Sequence, residues 1–404
     1  MDSPAKPGTS EPAGESARRT PWVTIAFIYL GGVVAAMSFG KFSSVGPEVA
    51  AELGLTLSQL GWAISAVVGV GAAAGLPAGY LVRRVGAERS LVAGLALTAA
   101  ASLGGVAAPD FGWLLTARSV EGVGYLLIVI ACPALVVRLA TARDRGTALS
   151  IWATFVPTGL AASTLAGGAL ASALGWRGWI ALVAALTLAM ALVLWTRLPR
   201  GPGHQSSGPL PRAGALWWPL VLAVAFCLAI LVTLPVIVLL PTLLIEQQGY
   251  SAAAAGALTS VISVLCALGG LAVGVLLRRG APIGVLALTG LLTLPAAWLL
   301  FGDHGSASAA LAGAAIVSIE NGFLGALGFA VLPLVLERLD HADVGNGVIA
   351  QAGSVGSLLG PPLFGVVAGG LGFQALVPAI AVGTLASVGL FLLVGRRASA
   401  KALG

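Results

Sequence analysis

Residues 79–91, GYLVRRVGAERSL, form a short basic run between two long stretches of chain that carry almost no charge. Glycines beside arginines can cradle a phosphate, but such a loop follows a strand and ends in Lys-Ser or Lys-Thr, and this run does neither. The stretches on either side are more informative. Each is long enough to cross a bilayer as a helix, which takes ~20 apolar residues.

The rest of the chain repeats this alternation. Of its 404 residues, 58% are hydrophobic and 9% are charged, which is more apolar surface than a soluble protein can bury. Short strands of alternating polarity, which indicate a membrane barrel, are not found. We therefore predict an all-α membrane protein with twelve transmembrane helices, spans 1 to 12, at 21–45, 57–82, 90–108, 111–137, 147–173, 178–197, 217–244, 252–277, 281–301, 308–336, 344–369 and 373–395.

The polar segments predict how the chain is divided and oriented. Residues 1–20 are rich in Pro, Ser, Gly and charge, which is typical of a disordered tail. The longest internal polar break, 198–216, separates a six-helix bundle at 21–197 from another at 217–395, and a short tail follows at 396–404. Nearly all of the 21 lysines and arginines lie on the side of the N-terminus. The positive-inside rule therefore places both termini and the central loop in the cytoplasm of a cell-membrane protein.

Composition also limits the function. The +6 net charge is explained by these anchoring arginines without a nucleic-acid partner. The three cysteines lie far apart in apolar segments and the three histidines fall in predicted loops, a pattern that favours buried small side chains over a metal site. The sequence contains no nucleotide-binding motif and no Ser/His/Asp set. We expect no cofactor, no metal and no enzymatic activity, and a monomer in the lipid bilayer.

Three short motifs recur in the same order in the two halves of the chain, at an offset of roughly 200 residues. They are GYLVRR at 79 and GVLLRR at 274, SVEG at 119 and SIEN at 318, and PALVVRL at 133 and PLVLERL at 333. Each pair falls in the corresponding helix or loop of its half. The repeat predicts two pseudo-symmetric six-helix bundles with a solute site between them at the midplane, a plan that secondary transporters use.

The opening run follows a known pattern, G-x-L-x-D-R-x-G-R-R. It matches at Gly79, Leu81, Arg84 and Gly86, while Arg83 replaces the aspartate. This pattern belongs to the loop between helices 2 and 3 of the major facilitator superfamily, which the chain resembles over essentially its whole length. The resemblance implies a secondary transporter that works by alternating access.

Two further motifs support the resemblance. Span 4 carries Arg118, Glu121, Gly122 and Gly124, similar to the family's R-x-x-Q-G-x-G with glutamate for glutamine. Span 5 reads GLAASTLAGG from residue 159, similar to the antiporter pattern G-x-x-x-G-P-x-x-G-G without its central Gly-Pro, and span 11 reads GSLLGPPLFG from residue 356 with Gly-Pro restored. Small residues at this spacing let helices pack closely, which in spans 5 and 11 could also seal a gate; the residues are Gly159, Gly167, Gly168, Gly356, Gly360 and Pro361.

Four ionisable residues lie within the predicted spans: Lys41, Arg118, Glu121 and Glu320. A charge at mid-bilayer costs ~2.5–3.5 kcal/mol on insertion scales, so each should face protein or a watery cavity. Glu121 and Glu320 hold matched positions in spans 4 and 10, and a partly desolvated carboxyl can load and release a proton near neutral pH. We predict that one or both carry a coupling proton. The alternative for Glu121 is a structural pair with Arg118, three residues earlier.

Other residues are candidates for coupling and substrate binding. The resemblance implies a role for Arg118 in conformational and proton coupling. Lys41 lies near the outer end of span 1, where it either reaches the headgroups or presents its ammonium to a substrate anion. Candidate polar groups of the pocket are Tyr29, Tyr125, Asn321 and Gln351.

In the family that the chain resembles, the aspartate of the opening motif meets the N-terminal end of helix 11 and helps to hold the outward-facing state. Arg83 cannot do so, because that helix end repels a cation. Asp343 stands where the N-cap of span 11 is expected, and Asp144 precedes span 5. We predict crossed pairs, Arg83 with Asp343 and Arg278 with Asp144, that close the cytoplasmic gate; the alternative is that these residues are solvated and have no fixed partner.

The sequence thus predicts a proton-coupled secondary transporter of a small solute. Lys41 and Arg118 favour uptake of an organic or inorganic anion, as in cyanate-permease-like members that the chain loosely resembles. The partial antiporter motif favours efflux of drugs or metabolites. A membrane sensor or scaffold, the alternative of another class, usually has a sizeable soluble domain, and none is found in the sequence.

Overall fold

The computed structural model describes residues 19–198, 210–302 and 306–403. Within those ranges the chain forms helices and turns and no strand. We number the α-helices α1 to α14; they are Trp22–Gly40, Gly46–Leu53, Leu57–Val85, Ala87–Val106, Phe111–Leu139, Ala142–Ala153, Phe155–Arg197, Trp217–Glu246, Ala252–Arg278, Ile283–Leu288, Thr293–Phe301, Ala307–Val335, Ala342–Leu371 and Leu376–Leu403. Most of the predicted tail at 1–20 lies outside the described residues, as do His204 and His304.

Twelve segments of the described residues are long and apolar enough to cross a membrane. They coincide with the twelve predicted spans, so the prediction of an all-α membrane protein is confirmed. Gly175, whose φ of 68° is left-handed, divides α7 between spans 5 and 6. Span 5 consists of α6 and the first part of α7, and span 9 consists of α10 and α11.

Span 1 ends before the predicted residue 45. α1 stops at Gly40, a 3-10 turn follows at Lys41–Ser43, and the short helix α2 begins at Gly46 with Pro47 in its first turn. Proline has no N–H to donate to an existing helix, but it fits the first turn of a new one. The chain therefore starts a second helix at this point.

Span 9 was predicted as one helix at 281–301, but a 3-10 turn at Thr289–Leu292 separates α10 from α11. Pro295 lacks the N–H that would bond the carbonyl of Leu291, which weakens the α-helical hydrogen bonding here. The predicted tail at 396–404 is also different, because α14 continues to Leu403.

The spans pack as two bundles of six. In the first, α1 packs on α7 and α4 on α5; in the second, α9 packs on α12 and α8 on α14. Between the bundles, α3 packs on α13 and α6 packs on α9. This arrangement follows the internal repeat. α3 and α9 are the second spans of their halves, α6 begins the fifth span of the first half, and α13 forms the fifth span of the second half.

The bundles approach each other closely at the end of the molecule where α1 begins and α14 ends, which we call the terminus end. A Cβ added at Gly79 of α3 would lie 3.0 Å from the carbonyl oxygen of Asp343 in α13. A Cβ added at Gly274 of α9 would lie 3.3 Å from the Cα of Thr147 in α6. Glycine lets the helices of both crossings approach closely at this end of the molecule.

Candidate transport site

Three ionisable side chains meet inside the first bundle, although they come from distant parts of the chain. Lys41 is 0%, Arg118 1% and Glu121 2% exposed. The Lys41 ammonium donates to Glu121 Oε1 at 2.5 Å, and the Arg118 guanidinium donates to Glu121 Oε2. Ser102 of α4 lies between them: its hydroxyl accepts from Lys41 at 2.6 Å and donates to Glu121 Oε1 at 2.6 Å. We call these four residues the charged cluster.

Arg118 also explains where α1 ends. Its Nη1 and Nε atoms each donate at 3.1 Å, to the carbonyls of Ser38 in α1 and Ala63 in α3. Its Nη2 atom donates to the carbonyl of Phe39 at 3.3 Å. The last carbonyls of a helix lack partners within the helix and attract cations. Arg118 satisfies two of them and joins α1, α3 and α5.

The charged cluster holds two cations against one carboxylate. Both cations also lie near the ring of Phe42, Lys41 at 5.8 Å and Arg118 at 4.8 Å from its centroid, which offsets part of the cost of burying them. With Glu121 ionised, one positive charge is in excess in a site that water does not reach.

The charged cluster bears on two alternatives that the sequence left open, the position of Lys41 and the pairing of Arg118 with Glu121. Lys41 does not reach the headgroups, because it is fully buried and bound to Glu121. The ion pair of Arg118 with Glu121, expected from their spacing, is present, but it is joined by Lys41 and Ser102. Their roles in coupling stay predictions.

Glu320, the matched carboxyl of the second bundle, has a different environment. It is 3% exposed, and Thr289 Oγ1 donates to its Oε2 at 3.3 Å from the 3-10 turn of span 9. Among the described residues, none of the ion pairs includes Glu320. This carboxyl therefore lacks the cations that surround Glu121.

The candidate pocket residues fall in separate places. The hydroxyl of Tyr29 lies 3.0 Å from those of Thr154 and Thr158, in the first bundle. In the second bundle, Thr233 donates to Asn321 Oδ1 at 2.7 Å. The ring of Tyr125 packs near that of Phe39, 5.9 Å between centroids. Gln351 is not beside these groups, because it contacts the backbone of α3 where the bundles meet.

The predicted gate residues come together, and Arg138 joins them. Arg278 Nη2 lies 3.9 Å from Asp144 Oδ1, as in the predicted pair. Asp343 has Arg138 of α5 as an ion-pair partner, and the Arg83 guanidinium donates to the carbonyl of Asp340; the pair of Arg83 with Asp343 stays a prediction. The loop before α13 turns back over α3. A backbone carbonyl of this loop, that of Asp340, therefore reaches Arg83.

The helix limits change the position of the two aspartates. Asp343 was expected at the N-cap of span 11 and Asp144 before span 5, but each lies in the first turn of its helix, α13 or α6. A carboxylate in the first turn still complements the positive end of the helix. Asp144 also accepts from the Thr20 hydroxyl at 2.7 Å.

The predicted packing glycines work inside each bundle rather than between spans 5 and 11. Gly159 of α7 packs on α1, and Gly167 contacts Ser44. On α13, a Cβ at Gly356 would lie 2.7 Å from the carbonyl of Cys227, and a Cβ at Gly360 would lie 2.7 Å from Pro235, both in α8. Pro361 lies within α13, and the packing of Gly168 lies outside the described part.

This arrangement agrees with the comparison to protein families, in which the model of the Major Facilitator Superfamily matches residues 28–361. The chain belongs to the Major Facilitator Superfamily. A transporter of this family in Escherichia coli K12, the 3-(3-hydroxy-phenyl)propionate transporter, is 30% identical over 405 residues, which cover 96% of this chain and 97% of the relative.

Solved structures of major facilitators share the fold. The human organic anion transporter MFSD10 superposes with a TM-score of 0.76 at 16% identity, covering 94% of this chain and 99% of the other. The E. coli fucose:proton symporter superposes with a TM-score of 0.74 at 18% identity and the same coverage. The family match over residues 28–361, the E. coli relative and the twelve apolar helices together show that the chain is a multi-pass membrane transporter.

Sequence reasoning missed several residues of the site. Ser102 and Thr289 look like ordinary small polar residues of apolar helices, and no sequence signal singles them out. Trp179 donates to the carbonyl of Lys41 at 3.0 Å, but it resembles an interfacial tryptophan. Arg138 could have been found, since the repeated motif PALVVRL places it at the end of span 4 that carries the gate residues.

Proposed function

We propose that this major facilitator imports a small organic carboxylate together with a proton. The observation that carries the proposal is the charged cluster, in which one buried carboxylate, Glu121, binds both Lys41 and Arg118. A second carboxylate can bind those cations only if Glu121 gives them up. Protonation of Glu121 has that effect, because a neutral carboxyl holds an ammonium and a guanidinium far more weakly.

The charges of such an exchange balance. The cluster carries one net positive charge when Glu121 is ionised, and two when Glu121 is protonated. Binding of a monovalent anion returns it to one. Proton and anion therefore enter together at no net change in buried charge, which avoids the cost of a second uncompensated charge inside the membrane. Transport by this mechanism is electroneutral.

The relatives support the substrate class. The E. coli relative that aligns over almost the whole chain is named for 3-(3-hydroxyphenyl)propionate, which has a carboxylate at one end and a phenol at the other. Two proteins of similar structure are an organic anion transporter and a fucose:proton symporter.

The arginines support the orientation. With both termini in the cytoplasm, as the positive-inside rule predicts, the closed end of the molecule is cytoplasmic. Access to the midplane is then from outside, and the two ion pairs, Asp343 with Arg138 and Asp144 with Arg278, stabilise the closed cytoplasmic gate.

Uptake by the purified protein in liposomes tests this function. We expect 3-(3-hydroxyphenyl)propionate to accumulate when the lumen is alkaline and the medium acidic, and not in the reverse gradient. Glu121→Gln should abolish accumulation driven by the gradient but retain exchange of external for internal anion. Glu52→Gln, a carboxylate outside the spans, is the matched control. Gradient-driven accumulation by Glu121→Gln at the wild-type level would contradict the proposal.

A further inference from the structure

Gln351 of α13 bonds to the backbone of α3 across the boundary between the bundles. The N–H of Leu76 donates to Gln351 Oε1 at 3.1 Å, and Gln351 Nε2 donates to the carbonyl of Ala72 at 2.9 Å. These two backbone groups are four residues apart, so they are the pair that an α-helix joins to each other. One side-chain amide thus bridges a donor and an acceptor of a single turn.

Glycines make this contact possible. A Cβ added at Gly75 of α3 would lie 2.8 Å from the Cα of Gln351 and 2.7 Å from the carbonyl oxygen of Gly347. A Cβ at Gly347 would lie 2.9 Å from the Cα of Gly79. Real Cβ atoms essentially never approach so closely. Only bare backbones let the amide of Gln351 reach the hydrogen-bonding groups of α3.

The matching crossing of α6 and α9 is held differently. There the Thr147 hydroxyl donates to the carbonyl of Gly274 at 3.2 Å. Its ion pair, Arg278 with Asp144, is 3.9 Å long with Arg278 48% exposed, whereas Asp343 beside the α3 crossing is fully buried. Exposed ion pairs contribute little. The pseudo-symmetric halves therefore meet in one strong and one weak crossing.

We propose that Gln351 is a clasp that holds the terminus end closed and that releases the backbone of α3 when this end opens. The two groups that it releases, Leu76 N–H and Ala72 C=O, have the i and i−4 spacing of an α-helix, so α3 itself can satisfy both of them after separation. The clasp makes the crossing of α3 and α13 the last to separate, after that of α6 and α9. This inference rests on the proposed transport function.

Distances between spin labels test the clasp without any transport. Labels at cysteines introduced at Arg84 and Arg338 report the α3 and α13 side, and labels at Arg143 and Arg279 report the α6 and α9 side, in a chain whose three native cysteines are replaced. Gln351→Leu keeps the volume but loses both hydrogen bonds. We expect the population with the long, open distance to rise about tenfold relative to the population with the short, closed distance in Gln351→Leu. This is the effect that the loss of two hydrogen bonds is expected to have.

Two more variants make the result decisive. Gly75→Ala, which favours the helix but pushes α13 away, should shift the distances in the same direction, while Gln374→Leu beyond the far end of α13 should not.

The order of opening is tested in the wild type by adding 3-(3-hydroxyphenyl)propionate at acidic pH. We expect a population in which the distance between α6 and α9 is long while the distance between α3 and α13 is still short. Unchanged distances in both Gln351→Leu and Gly75→Ala would overturn the clasp, even if uptake is normal. Shifted distances in a protein that shows no uptake would instead refute the proposed transport and leave the clasp in place.

Discussion

Lys41 and Glu121 lie 80 positions apart in the chain and share a 2.5 Å hydrogen bond, with both side chains almost fully buried. A buried ion pair is weak evidence for stability, because the cost of removing both charges from water can exceed their attraction. Here the cost is larger still, since a second cation, Arg118, binds the same carboxylate. We interpret the pair as a site that the protein retains for anion and proton transport.

The unequal charges of the cluster give a stability order. Glu121→Gln leaves two buried cations without a counterion, whereas Lys41→Met leaves Arg118 and Glu121 as a neutral pair. Removing one partner of a buried pair costs about 3–5 kcal/mol, so we expect a loss of that size for Glu121→Gln and a clearly smaller one for Lys41→Met. Thermal unfolding of the purified variants measures this, with Glu246→Gln, an exposed carboxylate at the end of α8, as control. A lower Tm for Lys41→Met than for Glu121→Gln would be inconsistent with the charge argument.

The two ion pairs of the gate should differ in importance. Arg138→Gln leaves the fully buried Asp343 without this partner, whereas Arg278→Gln breaks a long and exposed pair. We expect uptake to fall roughly tenfold or more in Arg138→Gln, because this ion pair is made to a fully buried carboxylate, and less than twofold in Arg278→Gln. Initial uptake rates provide the measurement. The swapped double variant Arg138→Asp, Asp343→Arg should recover part of the loss; equal effects of the two single variants would rule out the asymmetry.

Glu320 should be dispensable for coupling. It has no cation to release among the described residues and one hydrogen bond from Thr289, at 3.3 Å, so a neutral carboxyl suits its surroundings. Glu320→Gln preserves that neutral shape. We expect it to accumulate substrate in response to the pH gradient as the wild type does, while Glu121→Gln does not. Loss of gradient dependence in Glu320→Gln would instead make Glu320 the proton carrier.

A third carboxylate, Glu52 in α2, makes stability depend on pH. Its Oε2 accepts the indole N–H of Trp176 at 2.5 Å, and its Oε1 accepts from Arg177. These hydrogen bonds, that of Trp176 first, hold the pKa of Glu52 below its usual 4.5. A depressed pKa stabilises the fold above the unfolded value, and the effect is lost as pH falls through the folded value. The Tm difference between wild type and Glu52→Gln should therefore be present near neutral pH and shrink below pH 4.5; a difference that persists in strong acid would show another origin.

Sequence reasoning predicted the helices and their number because apolar length alone decides what crosses a membrane. It also found Arg118, Glu121 and Lys41, since a charge in an apolar span is rare. It missed that Lys41 joins the other two, because this contact depends on the tight turn after Gly40, which brings a side chain from the end of α1 over α5. Spacing along one helix reveals a neighbour such as Arg118, but not a partner 80 residues away.

The gate shows the same limit. The repeat identified both aspartates and both arginines, and it placed Arg278 near Asp144. It did not place Arg138 at Asp343, because that contact depends on how the bundles tilt against each other. Gln351 was assigned to the pocket since an amide in an apolar helix suggests a ligand. Its actual partners are backbone groups of α3, which no sequence pattern marks as available.

The central claim is that one proton enters with each anion through Glu121. Calorimetric binding of 3-(3-hydroxyphenyl)propionate by the purified protein, measured at several pH values, tests it most directly. Linked uptake of one proton makes the Kd rise about tenfold per pH unit. We predict that slope for the wild type and for Glu52→Gln, and a Kd independent of pH for Glu121→Gln. A pH-independent Kd in the wild type, or the full slope in Glu121→Gln, would contradict the account.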